Sequence, residues 1–187
     1  MAAANSSNPG DSSMTSAPEI HGRNGNAVVV IVEDESALPA LAGRLAAVLP
    51  PAAFIALEGD LGAGKTTFVK AVAAAAGIDP ADVVSPTFGL IHEHGGVRGG
   101  TAGIRLVHAD MYRLPAAAEL QETGWDDAIA APGWVFVEWP GRIAAALPAD
   151  RLDVSIGIDG PHSRTFTFVS RGPGHDSVVA ALCAATR

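Results

Sequence analysis

The sequence predicts an α/β domain: a mostly parallel sheet flanked by helices, closed near its C-terminus by an antiparallel hairpin. Three observations predict it. Short apolar, β-branched runs at residues 28–32, 53–57, 104–109 and 134–137 alternate with Ala- and Leu-rich stretches that suit helices. A glycine-rich loop joins one of those runs directly to a helix. Near the end, Leu152, Val154, Ile156 and Ile158 alternate with polar or small residues, as do Phe166 and Phe168, and residues 159–163 join the two runs.

The chain of 187 residues suits one domain. Residues 1–26 are rich in Ala, Asn, Ser, Pro and Gly and lack an apolar stretch behind a basic start. They read as a disordered tail rather than a secretory signal, with the domain spanning residues 27–187. No apolar run reaches the roughly 18 residues of a membrane span. The lone Cys183 excludes an internal disulfide and fits the reducing cytoplasm. Residues 1–26 hold Asp11 and Glu19 against Arg23, so almost all of the net charge of −8 belongs to the domain. Such an acidic surface is a poor platform for nucleic acid, which is bound by Lys and Arg. Any action on RNA is expected to pass through a partner protein.

In chain order, residues 28–32 form the first expected strand. Ser36 is the expected N-cap of a helix reaching about Leu49, with Leu38, Leu41, Leu45 and Val48 on one face. Pro39 is tolerated in its first turn, and Pro50 and Pro51 end it. Residues 53–57 are a buried strand, and the helix after the loop stops at Gly77. Residues 89–94 are a candidate strand, residues 95–103 a flexible hairpin or loop, and residues 104–109 a strand ending at Asp110. A helix is expected over residues 116–122, broken near Gly124, with a short turn over 126–130. Residues 134–137 form a strand ending at Glu138, and a last helix covers residues 176–185.

The loop after residue 57 carries the chemistry. Gly59, Gly64, Lys65 and Thr66 fit G-x-x-x-x-G-K-[ST], and the nine residues Gly59, Asp60, Leu61, Gly62, Ala63, Gly64, Lys65, Thr66 and Thr67 form a candidate nucleotide-phosphate cradle. Glycines let successive backbone N–H groups converge on a phosphate, an approach that larger side chains would block. The following helix adds the positive end of its dipole. Lys65 is placed to reach the β- and γ-phosphates of ATP, and Thr66 to offer its hydroxyl to Mg²⁺. The fold class is therefore P-loop NTPase-like.

Asp110 and Glu138 each stand immediately after an apolar strand. Ligands of open α/β sheets sit at the carboxyl ends of the strands, so both acids can converge on the phosphates. One can hold Mg²⁺ through water; the other can orient or activate the attacking water. Thr87 follows Pro86 on an expected loop and can respond to a γ-phosphate. His92 and His94 alternate on an expected strand without an evident third ligand, and His108 reads as a structural hydrogen-bonding residue.

Four stretches together resemble a known family. They are Gly59 to Thr67, Ser85-Pro-Thr-Phe88, His108-Ala-Asp-Met-Tyr-Arg113 with Leu114, and Val137-Glu-Trp-Pro140 with Arg142. In order and spacing they resemble TsaE (YjeE), the small ATPase of bacterial tRNA threonylcarbamoyladenosine synthesis, over residues 28–169. The resemblance implies ATP and Mg²⁺ as cofactors, and TsaB-like and TsaD-like proteins as partners in modifying adenosine 37 of ANN-decoding tRNAs. It implies Lys65 and Thr66 as phosphate and Mg²⁺ ligands, Asp110 and Glu138 as metal-supporting acids, Glu138 also as the acid of hydrolysis, and Thr87 as a switch residue. Trp139 is expected to pack on the nucleotide site or a partner face. Ala109 departs from the family's usual aromatic between the His and Asp. Two other functions share the loop: a small-molecule or nucleoside kinase, and a nucleotide-gated binding module without catalysis. Between Asp110 and Glu138 the basic residues amount to Arg113, too few for a kinase's basic lid, and pure binding needs no second acid.

Overall fold

The computed structural model describes residues 17–84, 90–98 and 101–184. Eight strands form one sheet: β1 (Glu19–Asn24), β2 (Ala27–Val32), β3 (Ala53–Glu58), β4 (Ile91–Arg98), β5 (Thr101–Asp110), β6 (Trp134–Glu138), β7 (Leu152–Ile158) and β8 (Arg164–Ser170). Their order is β1-β2-β8-β7-β3-β6-β5-β4. The parallel part lies at the centre, where β7, β3, β6 and β5 run side by side. Both flanks are antiparallel, so the sheet is mixed. The expected hairpin is present as β7–β8, but it is inserted between β2 and β3 and joins the two halves.

Burial explains the sequence patterns. Every residue of β6, and all of β3 but Glu58, is buried, because central strands are covered on both faces. In β2 buried residues alternate with half-buried ones, because its second face is less covered. One face packs on α1 (Leu38–Val48), α2 (Lys65–Ala75) and α4 (Pro173–Ala184); Leu41, Leu45, Phe68, Val72 and Val178 meet Ile55, Leu57, Phe136, Val154 and Phe168 there. Each such fully buried side chain contributes about 1.5–3 kcal/mol. The other face has a smaller core of Phe54, Val107, Met111, Trp125, Val135 and Ile143. It is covered by α3 (Trp125–Ala130) and by 3-10 turns at Ala117–Thr123 and Pro140–Ala146.

Several expectations are corrected. Residues 19–24 are not tail: they form β1, paired antiparallel with β2, and Ile20 packs against the core. Polar composition hid this edge strand, whose backbone pairing needs little apolar side-chain area. The cap before α1 is Asp34, whose Oδ1 accepts the Ser36 N–H at 2.9 Å; Ser36 lies within a 3-10 turn, Glu35–Ala37, that leads into α1. Strand β4 continues past His94 to Arg98, so part of the glycine-rich stretch is paired backbone. The element expected at residues 116–122 is 3-10 rather than α-helical. Thr87 lies outside the described residues.

Candidate nucleotide site

The loop between β3 and α2 owes its course to its glycines. Gly59 has φ +152°, and a Cβ there would lie 2.7 Å from the Ile156 carbonyl oxygen of β7. Gly64 has φ +98° and opens α2 from the left-handed region, which a side chain would strain. Phe68 N–H donates to the Gly64 carbonyl at 2.8 Å, starting the helix at the loop itself. The N-terminus of α2 is thereby aimed out of the loop.

Lys65 is 5% exposed. Its Nζ donates to the carbonyls of Gly59 at 2.7 Å and Asp60 at 3.0 Å, and lies 4.0 Å from the centroid of the Trp139 ring. Burial draws its pKa below the ordinary lysine value; the carboxylates of Glu138, Asp110, Glu58 and Asp60 oppose that shift. The ammonium is thus held inside the loop by weak acceptors that a phosphate could replace.

Both sequence-predicted acids reach the same cleft, and they do so unequally. Strand β6 is the immediate neighbour of β3, and Leu57 pairs with Glu138. Glu138 is 3% exposed, and its Oε1 accepts the Thr66 hydroxyl at 2.7 Å. The same oxygen lies 2.8 Å from Nε2 of the fully buried His108. Asp110 stands one strand further out, in register with Glu138, and its Oδ1 accepts the Tyr112 N–H at 3.0 Å. Gly62, Gly64, Lys65, Thr66, Thr67, Asp110 and Glu138 line one cleft of about 280 Å³, with Leu61, Tyr112 and Trp139 at its walls. Leu61 is 76% exposed.

Trp139 follows Glu138 with φ +58°, the one positive φ among the described non-glycine residues. This turn swings its ring over Lys65, where it packs on Tyr112 with ring centroids 5.0 Å apart. Such a conformation costs on the order of 1–3 kcal/mol and is held by its surroundings. Trp139 thus lines the cleft that holds Lys65. Trp125 and Trp134 belong to the cores instead. Arg113 and Arg142 are exposed and do not line the cleft.

A second recess borders the other side of the loop and shares Gly62, Gly64 and Thr67 with the first. Its floor is Val32, Leu38 and Phe166; its rim is Glu35, Pro161, His162 and Arg164. Arg164 was not legible as a site residue. Its Nε donates to the Ala63 carbonyl at 3.1 Å while Nη1 donates to Gly160 and Ser163 carbonyls at 2.8 Å, tying the β7–β8 turn to the loop. No local motif announces this, because 101 residues separate Arg164 from Ala63.

Among the side chains lining the first cleft, the Thr66 hydroxyl and the Asp110 and Glu138 carboxylates offer oxygen, which suits a hard cation such as Mg²⁺.

Residues 32–166 match the family model described as threonylcarbamoyl adenosine biosynthesis protein TsaE. The chain is 38% identical over 143 residues to the tRNA threonylcarbamoyladenosine biosynthesis protein TsaE of Bacillus subtilis, covering 76% of this chain and 85% of that one. It is 34% identical over 139 residues to the protein of the same name from Mycobacterium leprae, covering 72% and 83%. Among solved structures, Bacillus subtilis YdiB superposes with a TM-score of 0.67 at 28% identity, over 89% of this chain and all of that one.

Proposed function

The chain belongs to the TsaE family of tRNA threonylcarbamoyladenosine biosynthesis, and from that premise we propose that it binds ATP with Mg²⁺ at the loop after β3 and hydrolyses the ATP in support of that modification. The observation that carries the reading is the Thr66–Glu138 hydrogen bond of 2.7 Å. It joins the hydroxyl that a P-loop offers to the metal to a buried acid at the neighbouring strand end.

Each residue then has a task. Backbone N–H groups of residues 59–64 and the start of α2 cradle the phosphates. Lys65 exchanges the Gly59 and Asp60 carbonyls and the Trp139 face for phosphate oxygens. Thr66, Asp110 and Glu138 would hold Mg²⁺, which when bound neutralises phosphate charge. Thr67, shared by both recesses, marks where the phosphate chain passes from one to the other, and the nucleoside takes the recess floored by Val32, Leu38 and Phe166. Glu138 orients the attacking water through the carboxylate oxygen that neither Thr66 nor His108 engages. Thr87 completes the set as the residue that responds to the γ-phosphate, on the strength of the family resemblance.

The proposed partners are the TsaD-like and TsaB-like proteins of the modifying complex. The acidic charge of −8 supports contact with tRNA through those partners. No helix among the described residues is long and apolar enough to cross a membrane, and the proposed location is the cytoplasm.

Reconstitution tests the reading. Purified partner proteins, tRNA, ATP, Mg²⁺ and the threonylcarbamoyl precursors are expected to sustain multiple rounds of modification only with this protein present. ADP formation that needs a small-molecule acceptor and leaves the phosphoryl group on that acceptor, without free phosphate, would instead mark a kinase.

A further inference from the structure

The fully buried His108 does something the proposed chemistry does not yet use. It lies two residues before Asp110 on β5, so the two share a face of the strand. Asp110 is the register partner of Glu138. His108 therefore sits one step beneath the pair of acids, with its Nε2 2.8 Å from Glu138 Oε1. Among the described residues its Nδ1 has no hydrogen-bond partner, so the Glu138 contact is the ring's one hydrogen bond. A carboxylate accepts only, so in this pair Nε2 carries the proton and donates.

Glu138 is consequently held at one oxygen. Oε1 receives both His108 and Thr66, at 2.8 and 2.7 Å, while no hydrogen bond of the described residues engages Oε2. Glu138 nonetheless lines the cleft. Thr66 stands on the loop helix and has a second task at the metal. His108 is sealed inside the sheet, with no surface to offer a ligand.

We infer that His108 is a positioning residue for hydrolysis: its Nε2–H fixes Glu138 Oε1, leaving Oε2 as the oxygen presented to the attacking water. The inference rests on Glu138 being the acid of hydrolysis. Without this donor the carboxylate can rotate about its terminal torsion, and its free oxygen no longer points at one place. Misplacement of this kind lowers the rate of the chemical step while leaving ground-state nucleotide binding alone.

The test is steady-state ATP hydrolysis by the full chain with its partner proteins present. Wild type, His108→Leu, His108→Gln, Glu138→Gln and the double variant His108→Leu/Glu138→Gln are compared. His108→Leu is expected to lower kcat about tenfold, a size typical of supporting hydrogen bonds, with KM for ATP within about threefold. His108→Gln, whose amide nitrogen can stand where Nε2 stood, recovers most of kcat. On the Glu138→Gln background the His108→Leu change adds little, because a residue acting through Glu138 has nothing left to act on. An equal loss in both backgrounds, or no loss from His108→Leu, overturns the inference. If His108→Leu does not fold, His108→Asn replaces it: the shorter amide cannot reach Glu138, and kcat equal to that of His108→Gln overturns the inference. Wild-type hydrolysis by Glu138→Gln itself would sink the underlying reading of Glu138 instead.

Discussion

Thr66 and Glu138, 72 residues apart in sequence, are joined by a 2.7 Å hydrogen bond that makes the loop helix and the end of β6 one unit. The bond exists because β6 is the neighbour of β3, so the acid that ends it arrives beside the first turn of α2. Asp110 stands one strand further from the loop, and its Oδ1 accepts the Tyr112 N–H. The two acids are therefore not equivalent.

Glu138→Gln is expected to bind ATP about as well as wild type and to hydrolyse it at least about tenfold more slowly; general-base effects are typically worth roughly 10²–10⁴-fold. The amide keeps the size and an acceptor for Thr66, but loses the carboxylate charge. Asp110→Asn should instead raise the Mg²⁺ concentration needed for half-maximal rate. Phosphate release across an Mg²⁺ series, with partner proteins present, separates the two. Equal hydrolysis by Glu138→Gln and wild type would leave Glu138 a structural acid.

Lys65→Ala should lose ATP binding. The ammonium is the one side-chain cation lining the cleft among the described residues, and alanine would supply no charge to the β- and γ-phosphates. Calorimetric titration with ATP and Mg²⁺ measures it; unchanged affinity would mean the loop is not the nucleotide site.

Arg164→Ala should weaken ATP binding severalfold without touching any residue of the phosphate motif. It releases the Ala63 carbonyl from the β7–β8 turn, so part of the binding energy goes into ordering the loop. Arg164→Lys is expected to rescue only in part, because one ammonium cannot reproduce the fork that reaches Ala63, Gly160 and Ser163 together. The same titration decides it, and wild-type affinity in Arg164→Ala would show that the loop holds its shape unaided.

Deleting residues 1–26 should lower the melting temperature by several degrees. β1 pairs with β2 along its length, and Ile20 packs on the main core. For a chain of this size each 1 kcal/mol corresponds to about 2–4 °C. Scanning calorimetry of both forms is the check; identical melting would mean that β1 adds nothing to the sheet.

Asp150 gives the fold an acid-sensitive joint. Its Oδ1 lies 2.8 Å from His175 Nδ1, and its Oδ2 accepts the Gly174 N–H at 3.0 Å, capping the first turn of α4. The His175 hydrogen bond, and after it the Gly174 N–H, hold its carboxyl below the ordinary aspartate value. A depressed folded-state pKa means that the unfolded chain binds the proton more readily. The stabilisation is therefore complete above about pH 4 and is lost as pH falls through the folded value. Thermal melts between about pH 6 and pH 3 should show a steeper acid loss for wild type than for Asp150→Asn; parallel curves would exclude the joint.

The local part of this protein was legible from its sequence. The strand before Gly59, the turn demanded by Gly59 and Gly64, the helix after it and the acids after two apolar strands all follow from short-range chemistry, and Lys65, Thr66, Asp110 and Glu138 do meet in one cleft. The same patterns exposed the β7–β8 alternation, because that hairpin buries only one set of alternate residues. What needed the tertiary structure were relations between distant segments. Composition could not show that residues 19–24 join the sheet, since an edge strand gains its place through backbone hydrogen bonds rather than apolar content. Neither could it show the strand order that puts Glu138 rather than Asp110 on Thr66, the buried His108 beneath both acids, or Arg164 reaching back to Ala63. Each is a long-range pairing selected by which strand lies beside which, and residue type and spacing carry no record of that choice.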